Sequence, residues 1–125
     1  MNRLAIVVPL YRRPDLVEPL FNSLISTQDE LRTLNGRVLL INDAPDDADL
    51  PKTIECRRAA LAGAIDVEVL ENSANLGFVA SANRGLEIAL AEGRDALLLN
   101  SDATLTPGAL TEMVAVARLD PMIGF

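Results

Sequence analysis

Residues 95–108 read DALLLNSDATLTPG. An apolar run, residues 96–99, passes straight into Asn100, Ser101 and Asp102, and a Thr-Pro-Gly turn follows. A short apolar run bounded by turn residues fits a strand buried on both faces. Pro107 sits where the first turn of a helix tolerates a missing N–H. The unit reads strand, polar loop, helix. Its odd part is the loop, where a buried strand ends on a carboxylate and two small polar groups ahead of a turn that needs neither.

The same alternation extends outward. Residues 3–9, RLAIVVP, form a continuous β-branched run, read as a first strand buried on both faces. Residues 14–27, PDLVEPLFNSLIST, place Leu16, Leu20 and Leu24 with Phe21 and Ile25 at helical spacing. Pro14 and Asp15 suit the first turn of that helix, and Pro19 would bend it. RVLLIND (37–43) is a second buried strand, APDDADLP (44–51) a turn-rich loop, and Pro51 opens the helix KTIECRRAALAG (52–63). DVEVLEN (66–72) alternates as a third strand. Residues 73–93, SANLGFVASANRGLEIALAEG, hold a loop and then a helix ended by Gly93. DALLLN (95–100) is the fourth strand, TPGALTEMVAVARLD (106–120) a helix, and PMIGF (121–125) opens one more strand. Such alternation predicts an α/β fold, a mostly parallel sheet with helices on both faces, in one domain spanning 1–125. The abrupt end reads as a strand cut off as it begins, which fits either a minimal protein or, the favoured reading, the N-terminal part of something longer. A truncated sheet would expose an edge and apolar surface that self-association into a homo-oligomer could cover.

Composition narrows the function. The chain has 125 residues, 50% of them apolar, enough for a core. Eleven basic residues against 18 acidic leave a net charge of −7, which argues against nucleic acid as a partner and against anionic membranes. An anionic ligand such as a diphosphate would need a metal between it and this chain. The single cysteine, Cys56, and the absence of His leave neither a disulfide framework nor a zinc pattern, which suits a reducing cytoplasm. The apolar runs are too short to span a membrane, and the N-terminal run suits a strand better than a signal peptide.

Ligands of open parallel sheets bind beyond the carboxyl ends of the strands. The groups there are Pro9, Tyr11, Arg12 and Arg13 after the first strand, Asn42 and Asp43 after the second, Asn72, Asn75 and Gly77 after the third, and Asn100, Ser101 and Asp102 after the fourth. Asn42 and Asp43 could equally cap the next segment. Gly85, inside a helix where Ala would be better by about 1 kcal/mol, reads as a close approach of helix to sheet. Asn83 in the same helix would hold the preceding loop or a ligand. Asp102 is the sharpest case. Thr104 or Thr106 already offers cap chemistry for the next helix, whereas a hard divalent cation, Mn²⁺ or Mg²⁺, takes one or two carboxylates together with waters and ligand phosphates.

These residues, in this order and spacing, resemble the N-terminal half of a family 2 glycosyltransferase with the GT-A fold. IVVPLYRRPDLVEPLFNSL is similar to the family's opening strand and helix, with their P-x-Y-N-R stretch. VLLINDAPDD stands at V-x-D-D-G-S-x-D, ENSANLGFVASANRGLEIA at N-x-G-F…N-x-G, and ALLLNSDATLTPGAL at the D-x-D strand and Pro-Gly helix start. The resemblance implies that Pro9 and Tyr11 line a nucleobase and ribose pocket and that Asp43 accepts a hydrogen bond from a uracil-type base. It implies that Asn75, Gly77 and Asn83 shape the loop over the nucleotide and that Asp102 is the metal ligand, beside which Asn100 and Ser101 could by their chemistry hydrogen-bond a ribose or a water in the donor site. Departures are Arg12 for Asn, Asn42 for the first acid, Ala44-Pro45 for Gly-Ser, Asn100 for the first Asp of D-x-D, and Ala82 where many relatives carry an Arg. The last shifts the contact with a diphosphate onto the metal, Arg13 or Arg84.

The implied reaction moves a sugar from a UDP- or dTDP-sugar donor to the hydroxyl of a glycan or lipid-linked acceptor, with inversion. The catalytic base is expected in the acceptor-binding half, beyond this chain, leaving this chain alone without activity. Asp46, Asp47 and Asp49 are read as solvated. The resemblance implies polysaccharide biosynthesis in the cytoplasm, with membrane association of the full-length protein left open. Two other readings compete. One is a nucleotidyltransferase, although PLYRRPD lacks its Gly-rich loop. The other is a scaffold domain whose strand-end polar groups are mere caps. A dinucleotide-binding dehydrogenase is disfavoured because no G-x-G-x-x-G follows the first strand.

Overall fold

The structure is a computed structural model that describes residues 3–61 and 65–120. Strands β1 (Leu4–Leu10), β2 (Arg37–Asn42), β3 (Asp66–Glu71) and β4 (Asp95–Leu98) form one parallel sheet in the order β3-β2-β1-β4. Between and after them run helices α1 (Val17–Ser26), α2 (Gln28–Thr33), α3 (Asp49–Leu61), α4 (Phe78–Ala91) and α5 (Ala109–Ala117). β1 lies in the interior of the sheet and is buried along its whole length, as its continuous apolar run requires.

Alternate residues divide the core between the two faces. Leu4, Ile6, Val8 and Leu10 pack with Leu20, Phe21 and Leu24 of α1, with Leu50 and Ile54 of α3, and with Leu110 of α5. Ala5, Val7, Leu39 and Ile41 face Ala89 of α4, with Leu86 and Ile88 packed alongside. The predicted two-faced α/β layering is therefore present.

Local readings needed correction. Pro14–Leu16 is a 3-10 turn, and α1 begins at Val17. Pro19 thus falls in the first helical turn, where its missing N–H has no intrahelical partner to lose, and it does not sit awkwardly inside the helix. α2 was not read from the sequence. α3 begins at Asp49, ahead of Pro51, because the Asp47 carboxylate caps it, accepting from Asp49 N at 3.0 Å and Leu50 N at 3.2 Å. Asp47 is not simply solvated. Asp46 is also engaged, in an ion pair with Arg12. The expected end of this helix at Gly63 and the expected strand at 121–125 lie outside the described residues. Gly93 ends α4 as expected, at φ +67°.

β4 is not buried on both faces. It pairs only with β1 among the described residues, so Leu98 remains 40% exposed. Leu90 of α4 is exposed as well. No described helix is long and apolar enough to cross a membrane.

Gly85 is a genuine close approach. A Cβ there would lie 2.3 Å from Val7 Cγ1 and 3.1 Å from Ile41 Cδ1. Val7 is fully buried and stiff at χ1, so it cannot swing away. Gly85→Ala is expected to destabilise the fold by about 1–2 kcal/mol, because overpacking outweighs the gain in helix propensity. Urea denaturation of Gly85→Ala alone and with Val7→Ala checks this. Non-additive costs are expected, since Val7→Ala makes the room that the added methyl group needs.

Candidate functional site: a cleft at the carboxyl ends of the strands

At the carboxyl ends of the strands is a cleft of about 630 Å³, within the range of small-molecule sites. Pro9, Tyr11, Arg13, Asp43, Asn75, Gly77, Asn100, Ser101 and Asp102 all line it. Topology gathers them, since β2, β1 and β4 are adjacent and parallel and so end on the same edge. Asn83 is the exception. It is exposed on α4 and does not line the cleft, because the helical turn that carries it presents Ser81 there instead.

The β1–α1 loop is bent by two successive residues in the left-handed region, Arg12 at φ +54° and Arg13 at φ +55°. Non-glycine residues resist that region, by roughly 1–2 kcal/mol each. The bend places Tyr11 and Arg13 at the cleft while Arg12 turns aside. The Arg12 guanidinium lies 5.2 Å from the Tyr11 ring centroid and donates to Asp46 Oδ2 at 2.9 Å. Arg13 donates from Nε and Nη2 to the two Asp15 oxygens, at 3.0 and 2.9 Å. Those bonds raise the Arg13 pKa above its usual value, with a smaller contribution from the charge of Asp102.

Asp43 is buried beneath the cleft at 3% exposure. Its Oδ1 accepts from Asn72 Nδ2 at 2.8 Å and from Leu76 N at 2.7 Å, and its Oδ2 accepts from Gly77 N at 2.9 Å. Burial pushes this carboxyl up, but the hydrogen bonds from Asn72, Leu76, Gly77 and Ser81 outweigh it and leave the group below its ordinary value. The carboxylate is thus a clamp on the loop that opens α4. Gly77 serves the same loop with φ +94°, a conformation that L side chains resist. Asn42 behaves differently from its neighbour. Its Oδ1 accepts from Ala44 N at 2.8 Å, an ordinary Asx turn.

Asp102 has the opposite character. It is exposed, and no group among the described residues hydrogen-bonds to its carboxylate or ion-pairs with it. Nor is it needed to cap α5. Neither is Thr104 or Thr106, because Glu30 of α2 does this from across the fold. Glu30 accepts from Gly108 N at 2.5 Å and from Thr111 N at 2.9 Å. The sequence reading missed Glu30 and Ser81, and it placed Asn72 with the strand-end ligand groups, whereas Asn72 is buried outside the cleft lining and holds Asp43 instead, because no local pattern marks such partners.

Arg13 is the cation among the lining residues, against the carboxylates of Asp43 and Asp102. The described residues contain no cluster of three or more His, Cys, Asp or Glu able to cage a metal. One exposed carboxylate with amide and hydroxyl oxygens beside it suits a hard cation that takes its remaining oxygens from phosphate and water.

This sheet, with its cleft at the strand ends, has the fold of the GT-A glycosyltransferases. The mannosyltransferase PcManGT from Pyrobaculum calidifontis, solved in complex with GDP-Man and Mn²⁺, is similar with a TM-score of 0.76 and 17% identity over 98% of this chain. TarS 1–349 from S. aureus in complex with UDP is similar with a TM-score of 0.70 and 19% identity over 94% of this chain. The chain belongs to glycosyl transferase family 2, whose family model matches residues 5–124. It spans 34% of the PcManGT chain and 32% of the TarS one, about a third of each. No curated protein matches it in sequence.

Proposed function

We propose that this chain is the donor-binding part of a metal-assisted, inverting glycosyltransferase that uses a UDP- or dTDP-sugar. The observation that carries this reading is the pairing of two unlike carboxylates in one cleft. Asp43 is buried and hydrogen-bonded, while Asp102 is exposed and, among the described residues, accepts no hydrogen bond and forms no ion pair. Asp43 lines the cleft, where an imide N–H of the base would share this carboxylate with its donors Asn72, Leu76, Gly77 and Ser81. Pro9 and Tyr11 would flank base and ribose, Asn75 and Gly77 would cover the nucleotide, and Asn100 and Ser101 would bond the ribose.

Asp102 would hold Mn²⁺ or Mg²⁺, which when bound supplies positive charge against the departing diphosphate. The acceptor oxygen attacks the anomeric carbon from the face opposite the leaving group, the bond to the diphosphate breaks, and the acceptor's proton passes to a base. Arg13 lies at the cleft to meet the charge that grows on the diphosphate. Stabilisation that increases along this path is what lowers the barrier. The lining carboxylates have other roles in this reading, so it assigns the base to none of the described residues. The acceptor is read as a glycan or lipid-linked hydroxyl and the compartment as cytoplasmic.

Calorimetric titration with UDP, dTDP and GDP, with and without Mn²⁺, tests the reading. The expected result is metal-dependent binding of UDP and dTDP. Guanine also carries an N–H that Asp43 could accept, and PcManGT was solved with GDP-Man, so preferential GDP binding would redirect the donor assignment. A folded chain that binds none of them would count against a donor site in these residues.

A further inference from the structure

Arg84 was a candidate diphosphate contact, but it does not line the cleft. Its Nη1 donates to Glu71 O at 3.0 Å and to Asn72 Oδ1 at 2.8 Å. Asn72 is 3% exposed, and its Nδ2 donates to Asp43 Oδ1 and to Ser81 Oγ, each at 2.8 Å. The Asn72 backbone is also anchored, with its N–H donating to Asn42 O at 2.9 Å.

An amide has one accepting end and one donating end, and a half-turn of the side chain exchanges them. With the NH₂ toward Asp43 the pair is attractive. With the oxygen toward Asp43, an acceptor meets a carboxylate in a site closed to water. A guanidinium accepts nothing, so its neighbour must present oxygen. Arg84 therefore selects the orientation in which Asn72 donates to Asp43.

We propose that Arg84 is a positioning residue for the cleft. It locks the Asn72 amide, the amide holds the Asp43 carboxylate, and the carboxylate holds the Leu76–Gly77 backbone over the nucleotide site. The lock stands on geometry alone; its consequence for nucleotide affinity rests on the donor-site reading above.

The lock is tested first without ligand, by amide hydrogen exchange of the whole chain. Arg84→Met keeps much of the stem and removes the donors, and Arg84→Lys restores a donor. The Leu76 and Gly77 amides are expected to exchange about tenfold faster in Arg84→Met and near the wild-type rate in Arg84→Lys, with Val7 and Leu39 unchanged. Unchanged exchange at Leu76 and Gly77 overturns the proposal. So does equal acceleration at all four amides, which would make Arg84 a general stability residue.

The second arm compares UDP with uridine. A positioning residue weakens both by the same factor, about tenfold. A direct phosphate contact weakens UDP alone, and that result also overturns the proposal. If the wild type binds neither, the donor-site reading fails, while the exchange measurement still decides the lock.

Discussion

Asp102→Ala is expected to remove metal-dependent nucleotide binding while leaving the fold intact. Removing a group that merely orients a metal ligand typically costs about 10–100-fold in metal affinity, so loss of the carboxylate itself is expected at the upper end, about 100-fold. The fold should not respond. Asp102 is exposed, and no group among the described residues bonds to its carboxylate. Surface substitutions of that kind stay within about 0.5 kcal/mol. Asp102→Asn separates charge from shape, since it keeps the size and an oxygen but loses the charge. Titration of both variants with Mn²⁺ and UDP, alongside their urea midpoints, checks this. A variant that keeps wild-type metal-dependent binding would remove Asp102 from the proposed metal site.

Asp43→Asn should behave in the opposite way and lose both fold stability and binding. An amide can present one oxygen where the carboxylate presents two. Its NH₂ would face either the Gly77 N–H or the donors on the other side, Leu76 N–H and the Asn72 amide. Leaving such donors unmet in a buried site costs roughly 1–3 kcal/mol each, so a loss of about 3 kcal/mol is expected. On the proposed donor-site reading, nucleotide binding should fall with it, because the loop above the cleft and the proposed acceptor for the base are lost together.

The acid dependence follows from the sign of the shift. The native Asp43 pKa lies below the unfolded value of about 3.9, so the unfolded chain takes up the proton first as the pH falls. Its contribution is therefore present in full well above pH 4 and disappears as the pH drops through the native value. A protonated carboxyl resembles Asn, with one donor and one acceptor, so the stability difference between wild type and Asp43→Asn should close in acid. Glu30 shifts in the same direction, because its bonds to Gly108 and Thr111 outweigh the opposing effect of burial. The informative quantity is therefore the difference between the two proteins. Urea titrations between pH 7 and 3 should show that difference flat near neutrality and narrowing below pH 4.

These two carboxylates mark how far the site could be read from residues alone. Both follow a strand, and both look like polar groups at a sheet edge. Nothing local separates the one that pins a loop from the one left open. Asn83 shows the same limit from the other side. An Asn inside a helix looked functional, yet its neighbour two positions earlier, Ser81, reaches the cleft and Asn83 faces away. A helical turn rotates each residue by a fixed angle, but the absolute orientation of the helix is set by what it packs on. Here that is the Gly85 contact with Val7.

The succession of strands and helices other than α2, the two-faced burial of β1 and β2, the close approach at Gly85 and the convergence of most polar strand ends are written in the chain. They depend on periodicity and backbone conformation, which act over a few residues. Tertiary structure decided the rest. Among the described residues it leaves β4 paired with β1 alone, so an apolar run that reads like a central strand stays partly exposed, because burial of a strand depends on its neighbours. It brought Glu30 to the start of α5, and joined Arg84, Asn72 and Ser81 to Asp43. Hydrogen-bond partners distant in sequence meet only when strand register and helix packing place them within about 3 Å, a distance that no local pattern encodes.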